Sequence, residues 1–234
     1  MTPVLELRNV HAAYGKIEVL HGVDVVVPEA SIVALLGPNG AGKSTTLRVA
    51  SGQMKPTSGC VHVTGRHING ASADQLARAG VCALPEGRGI FPNLTVRENL
   101  WMMTYGDVSR GQVEEEAFAR FPILKERRNQ LAGTMSGGEQ QMLAMARALA
   151  TSPAVLLLDE ISMGLAPLIV ARLYEIVAQI GAGGVSILLV EQFAQTALSV
   201  ADYAAIMVHG RIHTVGQPAE IKDALASAYL GGAA

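Results

Sequence analysis

Aromatic residues are scarce in this chain. Trp, Tyr and Phe make up 4% of it, against an apolar total of 50%. Any core it builds must therefore be filled by Ala, Val, Leu and Ile rather than by stacked rings. Cysteine is scarcer still. Cys60 and Cys82 stand apart with no C-x-x-C, so no disulfide framework or zinc-type ligand set is read, and both are expected to be buried thiols in a reducing compartment. An excess of either charge is also missing: 18 Lys and Arg face 20 Asp and Glu. With no basic stripe, the sequence argues against nucleic acid as the main ligand. Long apolar runs are absent too. The longest, such as Val185 to Val190, are strand length, far short of the ~20 residues that span a bilayer. The first residues include Glu6 and Arg8 and lack an apolar signal-peptide region. These absences point to a cytosolic protein whose membrane role, if any, comes through partner subunits.

What is present is a phosphate-binding pattern. Gly37-Pro38-Asn39-Gly40-Ala41-Gly42-Lys43-Ser44 satisfies G-x-x-x-x-G-K-[ST] without a gap, and Thr45 follows. The apolar run Ser31 to Leu36 leads in and a helix-like run, Ser44 to Ala50, leads out. This is the strand–loop–helix setting the motif requires. Its glycines let successive N–H groups turn toward one anion, and the helix start behind them favours negative charge. Lys43 can reach the β- and γ-phosphates of a nucleotide, and the Ser44 hydroxyl can sit on Mg²⁺.

The 234 residues suit one large domain, or one domain with an insert. Strands are predicted at Val4 to Val10, Val23 to Val27, Ile32 to Leu36, Gly59 to Thr64 and Val81 to Leu84, with a short helix over 73–79. From 95 to 150 the strand signal fades. Thr95-Val96-Arg97-Glu98 opens a helix through Met103 with a capping box. Ser109 to Phe121 predicts a second helix, with Glu114-Glu115-Glu116 placed early for the helix dipole, and 136–150 a third. Alternation then resumes: a strand at Ala154 to Leu158, a helix from Pro167 to Ile180, a strand at Val185 to Val190, a helix at Phe193 to Val200, a hairpin of Tyr203 to Val208 with Arg211 to Val215, and a helix over 218–226. The expected fold is α/β, with a core of about 1–87 and 152–234 and a helical insert of about 88–151.

Val155-Leu156-Leu157-Leu158-Asp159-Glu160 is an apolar strand ending in two carboxylates. With a phosphate loop upstream, Asp159 is placed to hold Mg²⁺ and Glu160 to polarise a water attacking the γ-phosphate. About twenty residues earlier, Ser136-Gly137-Gly138-Glu139 forms another capping box. Capping explains Ser136 and Glu139 but not two glycines, each costing about 1 kcal/mol in a helix relative to Ala. Glycines there allow bare N–H groups to approach an anion.

On these three motifs the chain resembles ABC-type ATPases, the nucleotide-binding subunits of ATP-driven transporters, over nearly its whole length. The resemblance implies a P-loop NTPase fold with a RecA-like parallel-sheet core, an N-terminal antiparallel β subdomain and a helical insert. It implies ATP and Mg²⁺ as ligands. It also implies a head-to-tail dimer in which the Ser136–Glu139 helix start of one subunit closes on the nucleotide held by the other. Tyr14 matches the aromatic that stacks on adenine, although a lone loop aromatic also fits. Ser162 to Pro167 resembles the loop that lines the dimer seam.

Three positions depart from the common family pattern. Glu86 stands where most members carry a Gln that contacts Mg²⁺ and the attacking water, Gln192 where most carry a His on the γ-phosphate, and Ile161 where a Pro is usual. Gln192 can donate a hydrogen bond but cannot become cationic. Pro85-Glu86-Gly87-Arg88 with Val190-Glu191-Gln192 resembles one subgroup, the smaller ATPase of branched-chain amino-acid importers, with relatives for urea and short amides. That implies a sister ATPase, transmembrane permease subunits and an external solute-binding protein as partners, at the cytoplasmic face of the membrane. Ile90 to Leu94 and Trp101-Met102-Met103 are read either as a groove for a permease helix or as the insert's own core. A soluble ABC ATPase and a non-hydrolysing ATP sensor remain rival readings.

Overall fold

A computed structural model describes residues 3–85, 89–104, 108–222 and 224. Two long strands, β1 (Pro3–Tyr14) and β2 (Ile17–Pro28), pair antiparallel through a Gly15-Lys16 turn, and β1 pairs on its other side with β4 (Ser58–Val63), which carries the short β5 (Arg66–His67). The second sheet has the order β10-β9-β3-β8-β7-β6, formed by β3 (Ile32–Leu36), β6 (Val81–Leu84), β7 (Val155–Asp159), β8 (Ser186–Glu191), β9 (Tyr203–Val208) and β10 (Arg211–Gly216). All its pairs are parallel except the β9–β10 hairpin. The fold is thus the expected α/β architecture of a parallel core with an N-terminal antiparallel sheet.

Strand alternation builds two cores. Val33, Leu35, Val155, Leu157, Leu188 and Val190 face the antiparallel sheet and α1 (Lys43–Ala50). Ala34, Leu36, Leu156, Leu158, Ile187 and Leu189 face the opposite way, onto α6 (Gly137–Leu149) and α7 (Pro167–Ala182). Both faces being covered explains why these strands read as continuous apolar runs rather than alternating ones. The first of these cores contains no Phe or Trp; aliphatic side chains and Met207 fill it, as the scarcity of rings requires.

Between β6 and β7 the described residues form helices and no strand of the sheets: α3 (Val96–Trp101), α4 (Arg110–Arg120), α5 (Pro122–Glu126), a 3₁₀ turn at Ala132–Thr134, and α6. Among the described residues four helices, α2 (Ala73–Arg78), α3, α4 and α6, start with a reciprocal capping box, on Ser72/Gln75, Thr95/Glu98, Ser109/Gln112 and Ser136/Glu139. Several expectations need correction. The helix from Thr95 stops at Trp101, not Met103, because the chain tightens there and the Met103 N–H bonds to Leu100. The Glu114–Glu116 run lies in the second turn of α4, whose first turn holds no acid; Glu114 instead meets Arg97 and Trp101. The helix α5 was not foreseen: Phe121 leaves the helical region and Pro122 starts a new turn. The helix α8 is short, spanning Ala194–Leu198. The last helix begins at 218 as expected, and the end expected at 226 lies outside the described residues. Cys60 and Cys82 are free thiols, but each is only half-buried.

Leu156 is fully buried in the central layer. Leu156→Ala is expected to destabilise the chain by about 3 kcal/mol through lost transfer energy and a residual cavity. A shift in urea midpoint corresponding to under ~1 kcal/mol would contradict this packing.

Candidate functional site

The sheet decides where polar chemistry collects. β8 lies between β3 and β7, with Leu36 opposite Glu191 and Asp159 opposite Val190. The loop after β3, the pair Asp159-Glu160 after β7 and Gln192 after β8 therefore leave the sheet side by side, at its carboxyl edge.

The loop Gly37–Gly42 arches from β3 into α1. Its N–H groups are turned by a bond from Ala41 N–H to the Pro38 carbonyl (3.2 Å) and by the left-handed backbone of Gly42 (φ 108°), which caps α1. A side chain at Gly42 would be strained and would stand 2.9 Å from Leu20. No side chain caps α1, which leaves its first N–H groups for an outside anion. Lys43 is 4% exposed; its Nζ donates to the carbonyls of Gly37 (2.9 Å) and Pro38 (3.2 Å) and lies 3.5 Å from Glu160 Oε1. Ser44 Oγ donates to Asp159 Oδ1 at 3.2 Å. A cavity of about 420 Å³ brings together Asn39, Gly40, Lys43, Ser44, Thr45 and Glu160. Ala41 is buried and Pro38 half-buried behind them.

Glu160 adopts a left-handed backbone (φ 45°), uncommon for a residue with a side chain, and its N–H donates to the Val190 carbonyl at 3.0 Å. Ile161, in place of the usual Pro, is buried in the α6–α7 core and so supplies packing at this point. Sequence reasoning missed Glu191. It is 1% exposed and accepts from the Tyr174 hydroxyl (2.5 Å), the Ser162 N–H (3.2 Å) and the Ser162 hydroxyl (3.0 Å). Burial first, opposed by the bonds from Tyr174 and Ser162 and aided by the charge of Glu160, holds its carboxyl above the usual range. The available signal was a charged residue closing an otherwise apolar strand, which in a doubly covered sheet needs a buried partner.

The start of α6 is a separate place. Ser136 Oγ accepts from Glu139 N–H, and Glu139 Oε2 accepts from the Ser136 N–H and hydroxyl, both at 2.8 Å. Burial opposes its ionisation, but these bonds and Arg127 (2.5 Å) hold the Glu139 carboxyl below its ordinary range. A Cβ on Gly138 would fall 2.2 Å from Ile169 Cγ2, so Gly138 lets α7 pack against α6. That contact gives Gly138 a packing reason within the chain, in addition to the anion reading. None of Ser136–Glu139 lines the cavity at Lys43.

The family described as ABC transporter matches residues 20–162, from β2 through the loop after Glu160. The chain belongs to that family. It is 45% identical to the high-affinity branched-chain amino acid transport ATP-binding protein BraG of Pseudomonas aeruginosa, covering 98% of this chain and all of that one. It is 36% identical to a probable branched-chain amino acid transport ATP-binding protein, LivF, of Archaeoglobus fulgidus, over 94% of each. Among solved structures it is similar to an ATP-binding cassette of an ABC transporter in its ADP conformation, with a TM-score of 0.85, 26% identity, and coverage of 99% of this chain and 100% of that one.

Of the other residues with expected family roles, Tyr14 is 45% exposed beside the β1–β2 turn, and its hydroxyl accepts from Arg48 on α1 (2.9 Å), which ties it to the helix behind the phosphate loop. Gln192 is half-buried and borders a groove with Ser162 and Phe193. Glu86 lies outside the described residues. Trp101 packs within the helical region: the guanidinium groups of Arg97 and Arg110 each lie 4.7 Å from its ring, and its Nε1 donates to Glu114 at 2.6 Å, while Met102 is half exposed. Among the described residues no helix is long and apolar enough to cross a membrane, and no group of three metal-ligating side chains assembles.

Gly138→Ala is expected to lower stability by about 1–3 kcal/mol through overpacking. Adding Ile169→Ala should recover most of the loss, measured as melting temperature. A single variant as stable as wild type would show that α6 and α7 do not meet as described.

Proposed function

We propose that this chain is the ATP-hydrolysing subunit of an ABC importer for branched-chain amino acids. The observation that carries the reading is the convergence of Lys43, Ser44, Asp159 and Glu160 at one sheet edge, in a chain nearly half identical to BraG along its length.

Each residue has a task that follows from its chemistry. The uncapped start of α1 and the loop N–H groups bind the phosphates, and the Lys43 ammonium adds a point charge. A triphosphate is a stronger partner for Lys43 than the two neutral carbonyls it meets at Gly37 and Pro38. Ser44 and Asp159 present a hydroxyl and a carboxylate 3.2 Å apart, hard oxygen donors of the kind Mg²⁺ takes alongside phosphate oxygens. Once bound there, the ion supplies charge neutralisation at the phosphates. Glu160 orients and polarises the attacking water, and Gln192 donates a hydrogen bond to the γ-phosphate. Tyr14 presents its ring to adenine, held by Arg48.

The chain works as a single ATP-binding unit with 88–151 as its insert. Ser136–Glu139 sits apart from the phosphate loop of its own chain, which supports a head-to-tail dimer in which a sister ATPase supplies that helix start. Gly137 and the capped first turn then face the partner's nucleotide. The pair sits beneath a permease at the cytoplasmic face, with an external binding protein delivering solute.

In the complex assembled with sister ATPase and permease, Glu160→Gln should cut phosphate release at least ~10²-fold while retaining bound ATP. Wild-type turnover in that variant would remove Glu160 from the reaction. Lys43→Ala should raise the ATP dissociation constant at least ~10-fold by calorimetry, given the strength of charge-assisted phosphate contacts; unchanged affinity would sink the phosphate cradle. Vesicles holding the wild-type complex should take up leucine only with ATP inside the nucleotide compartment. Uptake of urea but not leucine would reassign the solute.

A further inference from the structure

The reaction as described has no use for Glu191, yet it is the one acid among the buried described residues. It closes β8, lies in register with Leu36 before the phosphate loop, and immediately precedes Gln192. Leu189, two residues earlier on the same face of the strand, is buried without the desolvation cost a carboxylate bears. A carboxylate at Glu191 persists against that cost because three donors converge on it, two from Ser162 and one from Tyr174. Ser162 stands two residues beyond Glu160. On the other side of this segment, Glu160 N–H is bonded to Val190. The loop carrying Glu160 is therefore fastened to the end of β8 twice, by a backbone bond at its start and by the Glu191 carboxylate after it. Through Tyr174 the same carboxylate reaches α7, whose Ile169 occupies the space left by Gly138 at the head of α6.

We propose that Glu191 is a positioning residue, a buried anchor that holds the Glu160–Ser162 loop and Gln192 in one geometry and links both to α7 through Tyr174. It acts through its neighbours and touches no reacting atom. The inference rests on the ATPase reading above. It adds that water and γ-phosphate are aligned by a shared buried acceptor rather than by two independent loops.

The test uses the assembled complex, with turnover expressed per nucleotide-binding site so that unfolded protein does not count. Glu191→Leu should lower kcat about tenfold with KM for ATP within about twofold, because small misplacement of reacting groups costs rate rather than binding. Glu191→Gln should retain most turnover, since its amide oxygen still accepts from Tyr174 and Ser162 N–H, and the Ser162 hydroxyl can reverse to accept. Tyr174→Phe removes one donor, keeps the ring, and should lower kcat about threefold. In a Gln192→Ala background, Tyr174→Phe should cost clearly less than it does alone. Should Glu191→Leu fail to fold, Tyr174→Phe and its combination with Gln192→Ala still decide. Unchanged turnover per site in Tyr174→Phe, full additivity with Gln192→Ala, or a rise in KM at constant kcat would overturn the proposal. A wild-type complex without ATP turnover would fail earlier, removing the ATPase reading and the proposal together.

Discussion

The in-register pairing of β3, β8 and β7 is the constraint on which the site depends. Parallel strands that start level also end level, so the chain leaves the sheet three times at one edge: at Gly37, at Gln192 and at Glu160. Each strand is held from both faces by aliphatic side chains, with one core on each side of the sheet. A slip of one residue in β8 would exchange Leu188 and Val190 for Ile187 and Leu189 and turn Glu191 toward the wrong core. Register and chemistry are therefore specified by the same alternation.

The phosphate-loop motif and the carboxylate pair were legible because their meaning is local. Gly37 to Ser44 prescribes a turn and a helix start, and Asp159-Glu160 ends a run too apolar to lie anywhere but inside. Capping boxes at Thr95 and Ser136 were legible for the same reason, since partner and cap lie three residues apart. Non-local requirements were not. Nothing near Gly138 announces Ile169, about thirty residues away, so its packing role could not be read beside the anion reading. Glu191 was read as part of a motif string, while its partners Ser162 and Tyr174 come from other elements. The helix end at Phe121 was read, but α5 beyond it was not, since five residues are too few to show a helical period.

Electrostatics within the site are arranged by distance rather than by excess charge. The chain as a whole carries a formal charge of −2, and Lys43 meets its opposite charge, Glu160, at 3.5 Å rather than at contact distance. A buried cation held chiefly by two carbonyls keeps hydrogen-bond satisfaction without a tight ion pair, so exchange toward a more highly charged ligand needs no large rearrangement. Glu160 is fixed at its backbone by the bond to Val190, while its carboxylate faces the Lys43 ammonium.

The head of α6 is built on the same four-residue device that opens α2, α3 and α4, with a hydroxyl and a carboxylate or amide closing on each other's backbone. Its second and third residues are both glycine, whereas the α4 box has glycine at its third position alone. At Gly138 the missing side chain makes room for Ile169 of α7, so an ordinary helix beginning becomes a joint between two helices. That junction needs no scaffold beyond the one the chain already repeats; it needs only the absence of one methyl group.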